Sequence, residues 1–335
     1  MKKRKRIKIA VLDPIHKDAI DSLKKEGFFV REKINSKPKD LYKISSHYDA
    51  LICRTRTALD KKFFKSAKRI KCIGFCSTGY DKIDIGAAAE KNIEVLGLPS
   101  NNPKIDVHKD GNFISTAEHT ILLILAALGN FFDAHKSMKG GKWEKNRLIG
   151  REFFDKTLGI IGLGRIGKLV ALRASSFGTK IISYDPYVSK NEMTRYGVKK
   201  TSLENLCSEA DIITIHAPKT KETTGMLSKK HFQKMKRGAV IINTARAAIV
   251  REKELAPFIK KGIIKYAVDV FEGEPDNIDY KFVKMDNIIA TPHIAGSSYE
   301  ALKRISINTA INIIKFFKFN DTTNSLLKNN LKKKL

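Results

Sequence analysis

LGIIGLGRIGKLV, residues 158–170, passes from a continuous apolar run to an amphipathic one through Gly162, Gly164 and Gly167. The run reads as a buried strand, the glycines as a turn and the remainder as a helix, which is the context the G-x-G-x-x-G pattern requires. In that pattern Gly162 permits a tight turn, Gly164 lets main-chain amides approach a pyrophosphate, and Gly167 brings helix close to strand, with the helix N-terminus facing negative charge. Glycine turns also arise for purely structural reasons, so the next strand matters. KIISYD, residues 180–185, ends in Asp185, close to the roughly 20-residue offset at which a carboxylate meets the adenosine ribose. The ordinary alternative is an Asp-Pro surface turn. A carboxylate there repels a 2′-phosphate, and Pro186 and Tyr187 supply no guanidinium, so NAD is favoured over NADP, although Lys190 is close in sequence.

The fingerprint falls almost halfway along the 335 residues, and the flanking sequence explains why. Before it, IKIAVLD, FFVRE, DALICR, IKCIGFCS and IEVLGL read as strands, alternating with helical stretches near 17–26, 60–67 and 82–91. After it, KIISYD, DIITIHAP, GAVIINT, KYAVDVF and NIIATPH form a second series. Strand and helix in alternation mean parallel α/β sheets, and two series mean two doubly wound domains. Residues 115–138, STAEHTILLILAALGNFFDAHKSM, read as one long, extensively buried connecting helix. SSYEALKRISINTAINIIKFFKF, near the C-terminal end, is helical with no strand after it. A closing helix that returns to the first domain makes the nucleotide domain an insertion into the other.

Composition narrows the class. The hydrophobic content of 42% is that of a globular protein, no apolar run reaches the roughly 18 residues that span a bilayer, and MKKRKRIKIAVLD lacks a signal peptide's apolar core. A cytoplasmic protein without membrane contact is expected. Cys53, Cys72, Cys76 and Cys207 show neither C-x-x-C nor metal-ligand spacing, so buried thiols and no metal are expected. The net charge of +29 can mark a nucleic-acid partner. Its lysines, however, are spread through every segment beside abundant Ile and Asn, as biased codon usage would produce. Only MKKRKR and the LKKKL end are concentrated, and both are expected to fray in solvent, so nucleic acid is not the expected partner.

Three later strands end in groups that can do chemistry: INTAR in Arg246, VDVFEGEP in Asp269 and Glu274, ATPHIAG in His293. Strand carboxyl ends face the ligand crevice of a doubly wound sheet. Singly, a solvated Arg, a Glu turn before Pro and a His capping a strand are ordinary. Behind a dinucleotide fingerprint they read as a set.

With these motifs the chain resembles the D-isomer-specific 2-hydroxyacid dehydrogenases, from about residue 50 to residue 300, through CSTGYDKID, STAEHT, TLGIIGLGRIG, YDP, HAPKTKETTGML, INTARAAIV, AVDVFEGEP and TPHIAGSS in the family's order. The resemblance implies a flavodoxin-like substrate domain, 1–112 with 299–335, and an inserted Rossmann NAD-binding domain, 113–298. It implies hydride transfer between NAD(H) and a D-2-hydroxyacid or 2-keto acid, in a homodimer formed mainly by the nucleotide domain. Carried over by position, Arg246 binds the substrate carboxylate and polarises the 2-carbonyl, His293 is the general acid and base, and Glu274 orients that histidine. Asp269 falls near the nicotinamide carboxamide, Thr78, Arg165, Ile166 and Thr244 at cofactor positions, and the amides of Ser77 to Gly79 at the substrate carboxylate. The chain departs from the pattern at Ala247, where glycine is usual, at Val250-Arg251, where an acid is usual, and in a longer NNPKIDVHKDGNFI link. ALICRTRT puts Arg54 and Arg56 after a strand, which resembles the R-S-R-T of some 3-phosphoglycerate dehydrogenases and favours a second anionic group on the substrate. A glyoxylate or hydroxypyruvate reductase is the alternative substrate class, and a non-catalytic NAD(H)-binding regulator the alternative of another kind.

Overall fold

The computed structural model describes residues 6–32, 38–98, 102 and 104–327. The basic ends, apart from Arg6, and part of the 101–114 link lie outside these residues. The chain divides into two compact units, Met1–Asn112 with Ser297–Leu335, and Phe113–Gly296, so the second is an insertion along the sequence.

The first unit is built on five parallel strands, β1 (Lys8–Val11), β2 (Phe29–Arg31), β3 (Ala50–Cys53), β4 (Cys72–Phe75) and β5 (Glu94–Leu96), in the order β2-β1-β3-β4-β5. That is the flavodoxin-like order. Every residue of β3 and β4 is buried, as continuous apolar runs in the middle of a covered sheet should be, whereas β2 is an edge. The closing helix, Tyr299–Phe319, lies on β4 at its glycine: a Cβ on Gly74 would meet Ile313 Cδ1 and Thr309 Cγ2, each at 2.6 Å. Among the described residues no strand follows it, only an isolated antiparallel bridge from Ser325 to Leu96. The described part of the link is tied to the same helix, because Asn308 Nδ2 donates to Asp110 Oδ1 (2.8 Å) and Arg304 Nε to the Gly111 carbonyl (3.3 Å).

The second unit contains β6 (Thr157–Ile161), β7 (Lys180–Tyr184), β8 (Lys199–Lys200), β9 (Ile212–Ile215), β10 (Ala239–Asn243), β11 (Ile264–Val268) and β12 (Ile288–Ala290). Their order is β12-β11-β10-β9-β6-β7-β8, all parallel. The order reverses between β6 and β9, which is where a doubly wound sheet opens its ligand crevice. β8 has two lysines and no apolar residue, so it carries no strand signal in the sequence.

One expectation is corrected. Residues 115–138 are not a single helix; two helices, Phe113–Leu128 and Phe131–Lys139, meet at 65°. Asn130 between them adopts a left-handed conformation (φ 49°), a turn conformation that asparagine tolerates and most residues do not. Lys265 from β11 secures the break by donating to the Ala127 carbonyl (3.1 Å) and Asn130 Oδ1 (2.8 Å), a cation at a helix C-terminus. Only the first helix is extensively buried; Phe131, Phe132 and Met138 of the second are exposed. No single described helix is long and apolar enough to cross a membrane. All four cysteines are buried free thiols, as expected.

Candidate active site

The glycine turn in the second unit assigns a different task to each glycine. Gly162 has φ +90°, and a Cβ on it would lie 2.8 Å from the Ala217 nitrogen, at the exit of β9. A Cβ on Gly167 would lie 2.3 Å from the Gly162 carbonyl oxygen, so turn and helix touch there. Around Gly164, the N-cap of the helix Arg165–Ser175, a Cβ would meet nothing within 4 Å. Protein packing therefore accounts for two of the glycines. The third keeps clear the approach to a helix N-terminus, where a phosphate group fits. Arg165 leaves that turn with its guanidinium 5.4 Å from the Phe113 ring centroid, and Ile166 is half-buried in the first helical turn.

Asp185 follows β7. Its Oδ2 accepts from the Leu163 amide inside the glycine turn (2.8 Å) and its Oδ1 from the Tyr187 amide (2.9 Å). The carboxylate is thereby fixed against the turn, and each oxygen retains lone-pair capacity for a ribose hydroxyl. On the other side of the turn His216 bonds Thr214 Oγ1 through Nε2 (2.9 Å), and burial pushes its imidazole down to about 3, so it stays neutral.

The catalytic candidates sit after β10, β11 and β12. His293 Nδ1 is 2.5 Å from Glu274 Oε1, and Glu274 Oε2 accepts from the Phe271 amide (3.0 Å). The pair leaves Nε2 as the imidazole nitrogen that can carry a proton outward. His293 itself has φ +55°, and the loop that imposes this is held from below. Asp269, fully buried, takes the Thr291 hydroxyl (2.6 Å) and the Ile294 amide (2.8 Å) on Oδ1, and the Ala295 amide (2.8 Å) on Oδ2. Because Thr291 donates to Asp269, it accepts from His119 Nε2 at 3.1 Å, which fixes that histidine's tautomer. Burial lowers the His119 pKa against the opposing pull of Asp269. Asp269 and His119 thus anchor the loop that presents His293.

Arg246 follows β10 and is half-buried, and its Nη1 donates to the Ala245 carbonyl (2.6 Å). Thr244 is buried, its hydroxyl 2.9 Å from that of Thr120. Ala247 is buried, and Arg251 is exposed and pairs with Glu254 (3.3 Å). His119, Thr291 and Asn243 escape sequence reading because their partners lie far along the chain or on the backbone. STAEHT displays the histidine, but nothing local says what it touches.

In the first unit, buried Asp13 at the end of β1 organises the arginine loop after β3. Its Oδ2 accepts from the Arg54 amide (2.6 Å) and the Thr57 hydroxyl (2.9 Å). Arg54 is half-buried and Arg56 exposed. Ser77, Thr78 and Gly79 follow β4, all half-buried. Among the described residues no group of His, Cys, Asp and Glu has the arrangement of a metal site.

Residues 121–295 match the model of the D-isomer specific 2-hydroxyacid dehydrogenase NAD-binding domain. Over 313 residues the chain is 39% identical to D-3-phosphoglycerate dehydrogenase of Archaeoglobus fulgidus; the match covers 93% of this chain but only 58% of that protein's length. It is 36% identical to hydroxypyruvate reductase of Thermotoga maritima, covering 92% of this chain and 98% of that one. Among solved structures, NAD+-bound 3-phosphoglycerate dehydrogenase of Entamoeba histolytica superposes with a TM-score of 0.76 at 27% identity, over 96% of this chain and 99% of that one. The chain belongs to the D-isomer specific 2-hydroxyacid dehydrogenase family.

Proposed function

We propose that the protein is an NAD-dependent dehydrogenase that interconverts a D-2-hydroxyacid and its 2-keto acid. The observation that carries this reading is the 2.5 Å His293–Glu274 pair, presented by a clamped loop on the unit that bears the dinucleotide fingerprint. When bound, NADH supplies the hydride. Arg246 offers a planar guanidinium to the substrate carboxylate and draws electron density from the 2-carbonyl. His293 Nε2 delivers a proton to the carbonyl oxygen in reduction and recovers it in oxidation, while Glu274 holds the ring and stabilises its charged form. Asp185 selects NAD by opposing a 2′-phosphate. Residues 1–112 with 299–335 are assigned to substrate recognition and residues 113–298 to the cofactor.

Arg56 is the residue we assign to a second anionic group, which makes a phosphorylated 2-hydroxyacid such as 3-phosphoglycerate the preferred substrate. Hydroxypyruvate or glyoxylate reduction is the second reading, favoured by the full-length match to a hydroxypyruvate reductase. Working in the cytoplasm as a homodimer is part of the proposal; exposed Leu122, Leu125, Phe131, Phe132 and Met138 are the apolar surface a second copy would cover. A panel of 2-keto acids, assayed by NADH oxidation, tests the activity. Turnover of at least one is expected, and NADH binding with no turnover of any would leave a non-catalytic NAD(H)-binding regulator in its place.

A further inference from the structure

Behind Arg246 runs a line of side chains that neither the hydride chemistry nor cofactor binding uses. Asn243, the fully buried last residue of β10, clasps the turn that carries the arginine: its Oδ1 accepts from the Ala245 amide (3.0 Å) and its Nδ2 donates to the Arg246 carbonyl (3.1 Å). The same Nδ2 donates to the hydroxyl of Tyr266 (3.2 Å), which in turn donates to Glu252 Oε1 (3.3 Å). Tyr266 is fully buried on β11, and Glu252 is half-buried at the start of the helix Glu252–Lys260. We propose that Tyr266 and Glu252 are positioning residues for Arg246, acting through the Asn243 clasp, and that the charge state of Glu252 tunes the site's hold on the substrate carboxylate. This rests on the reading of Arg246 as the carboxylate-binding residue.

A purely packing role for Tyr266 would need no hydroxyl. A buried hydroxyl without partners is costly, and its two partners here join the 243–246 turn, through Asn243, to Glu252 at the start of the next helix. The Ala245 peptide is gripped on both sides, its nitrogen by Asn243 and its oxygen by the Arg246 guanidinium itself, so a shift of the clasp moves the arginine. Glu252 can change state near neutrality. Burial and the nearby carboxylates of Glu272 and Asp279 push it up to about 7, and the Tyr266 hydroxyl alone among its neighbours favours its ionised form. When ionised, Glu252 accepts only, which commits the Tyr266 proton to it and leaves the phenol oxygen for Asn243. When protonated, it can donate to that oxygen and compete with Asn243. Substrate affinity is therefore expected to fall as pH drops from 8 to 6.

The test uses the full chain loaded with NADH, with hydroxypyruvate as substrate and oxamate as a carboxylate probe followed by calorimetry. Tyr266→Phe removes both bonds of the hydroxyl and is expected to raise the hydroxypyruvate KM and the oxamate Kd roughly five- to tenfold, the effect of losing the one to the Asn243 clasp, with a smaller change in kcat. Glu252→Gln does not titrate, and its amide, like the protonated acid, can donate to the phenol oxygen. It is expected to hold the oxamate Kd at the wild-type pH 6 level at both pH values, so that the rise between pH 8 and pH 6 disappears. Unchanged affinity in Tyr266→Phe, or a wild-type pH dependence in Glu252→Gln, overturns the proposal; the second result decides it even where the first variant folds poorly. Arg246→Ala separates the two readings. If it weakens oxamate while Tyr266→Phe does not, only the positioning proposal falls; if it has no effect, the carboxylate reading falls with it.

Discussion

His293 and Asp269 illustrate how far single residues could be read from the chain. A histidine after Thr-Pro at a strand end is visible as a candidate, and Glu274 as its partner by resemblance; their 2.5 Å contact is the geometry a general acid needs. His293→Gln is expected to cut turnover roughly 100-fold or more with NADH affinity nearly unchanged, measured by steady-state kinetics beside fluorescence titration. Full activity in that variant would remove His293 from the chemistry. Asp269 was legible only as an acid near the cofactor, because its hydrogen bonds run to backbone amides 25 and 26 residues away, which no local pattern announces. Glu252 has no motif at all, and its elevated pKa has a cost. A carboxyl whose folded pKa is raised from about 4.5 to about 7 holds its proton longer in the native state than in the unfolded one, so stability is lost as pH climbs through that interval. Thermal melts should show Glu252→Gln more stable than wild type at pH 8 and nearly equal to it at pH 5. Equal gains at both values would contradict the burial of this carboxyl.

At the scale of elements, the long parallel strands were legible because continuous apolar runs leave few alternatives, and β8 was not because two lysines give no pattern. The broken helix is the instructive failure. Its apolar content continues through Gly129-Asn130, so periodicity alone runs straight on past a Gly-Asn stop signal; Asn130 turns left-handed there, and Lys265, more than a hundred residues later, secures the break. The glycine turn yields a sharper test, since its three glycines are constrained by different things. Gly167→Ala places a methyl against the Gly162 carbonyl and should lower the melting temperature of the protein itself. Gly164→Ala meets no protein atom and should leave the melting temperature within a degree or two while weakening NADH several-fold. The two measurements together decide whether the loop was shaped by folding or by a phosphate: equal losses of stability would mean folding alone.

For the whole molecule, the insertion of one α/β unit into another could be read from the late fingerprint and the strandless closing helix, and both sheets have the orders that reading required. The net charge of +29 was harder to place, and it bears directly on the proposed dimer. Two copies so charged repel at long range, over about 30 Å at 0.01 M salt but only about 10 Å at 0.1 M. If association is driven by the apolar side chains of the helices Phe113–Leu128 and Phe131–Lys139, added salt removes the repulsion and leaves the burial term. Light scattering should then give a mass near twice the 37.7 kDa chain mass, with the dimer tightening as salt rises over that interval. Leu122 and Phe131, 56% and 58% exposed, are the residues at which to break it. Leu122→Lys with Phe131→Lys costs the chain little stability, because neither side chain is buried within it, and should return the mass to that of one chain. Association that weakens as salt rises would point instead to contacts made by charge, as in nucleic-acid binding, and a wild-type mass near 37.7 kDa at every salt concentration would refute the dimer.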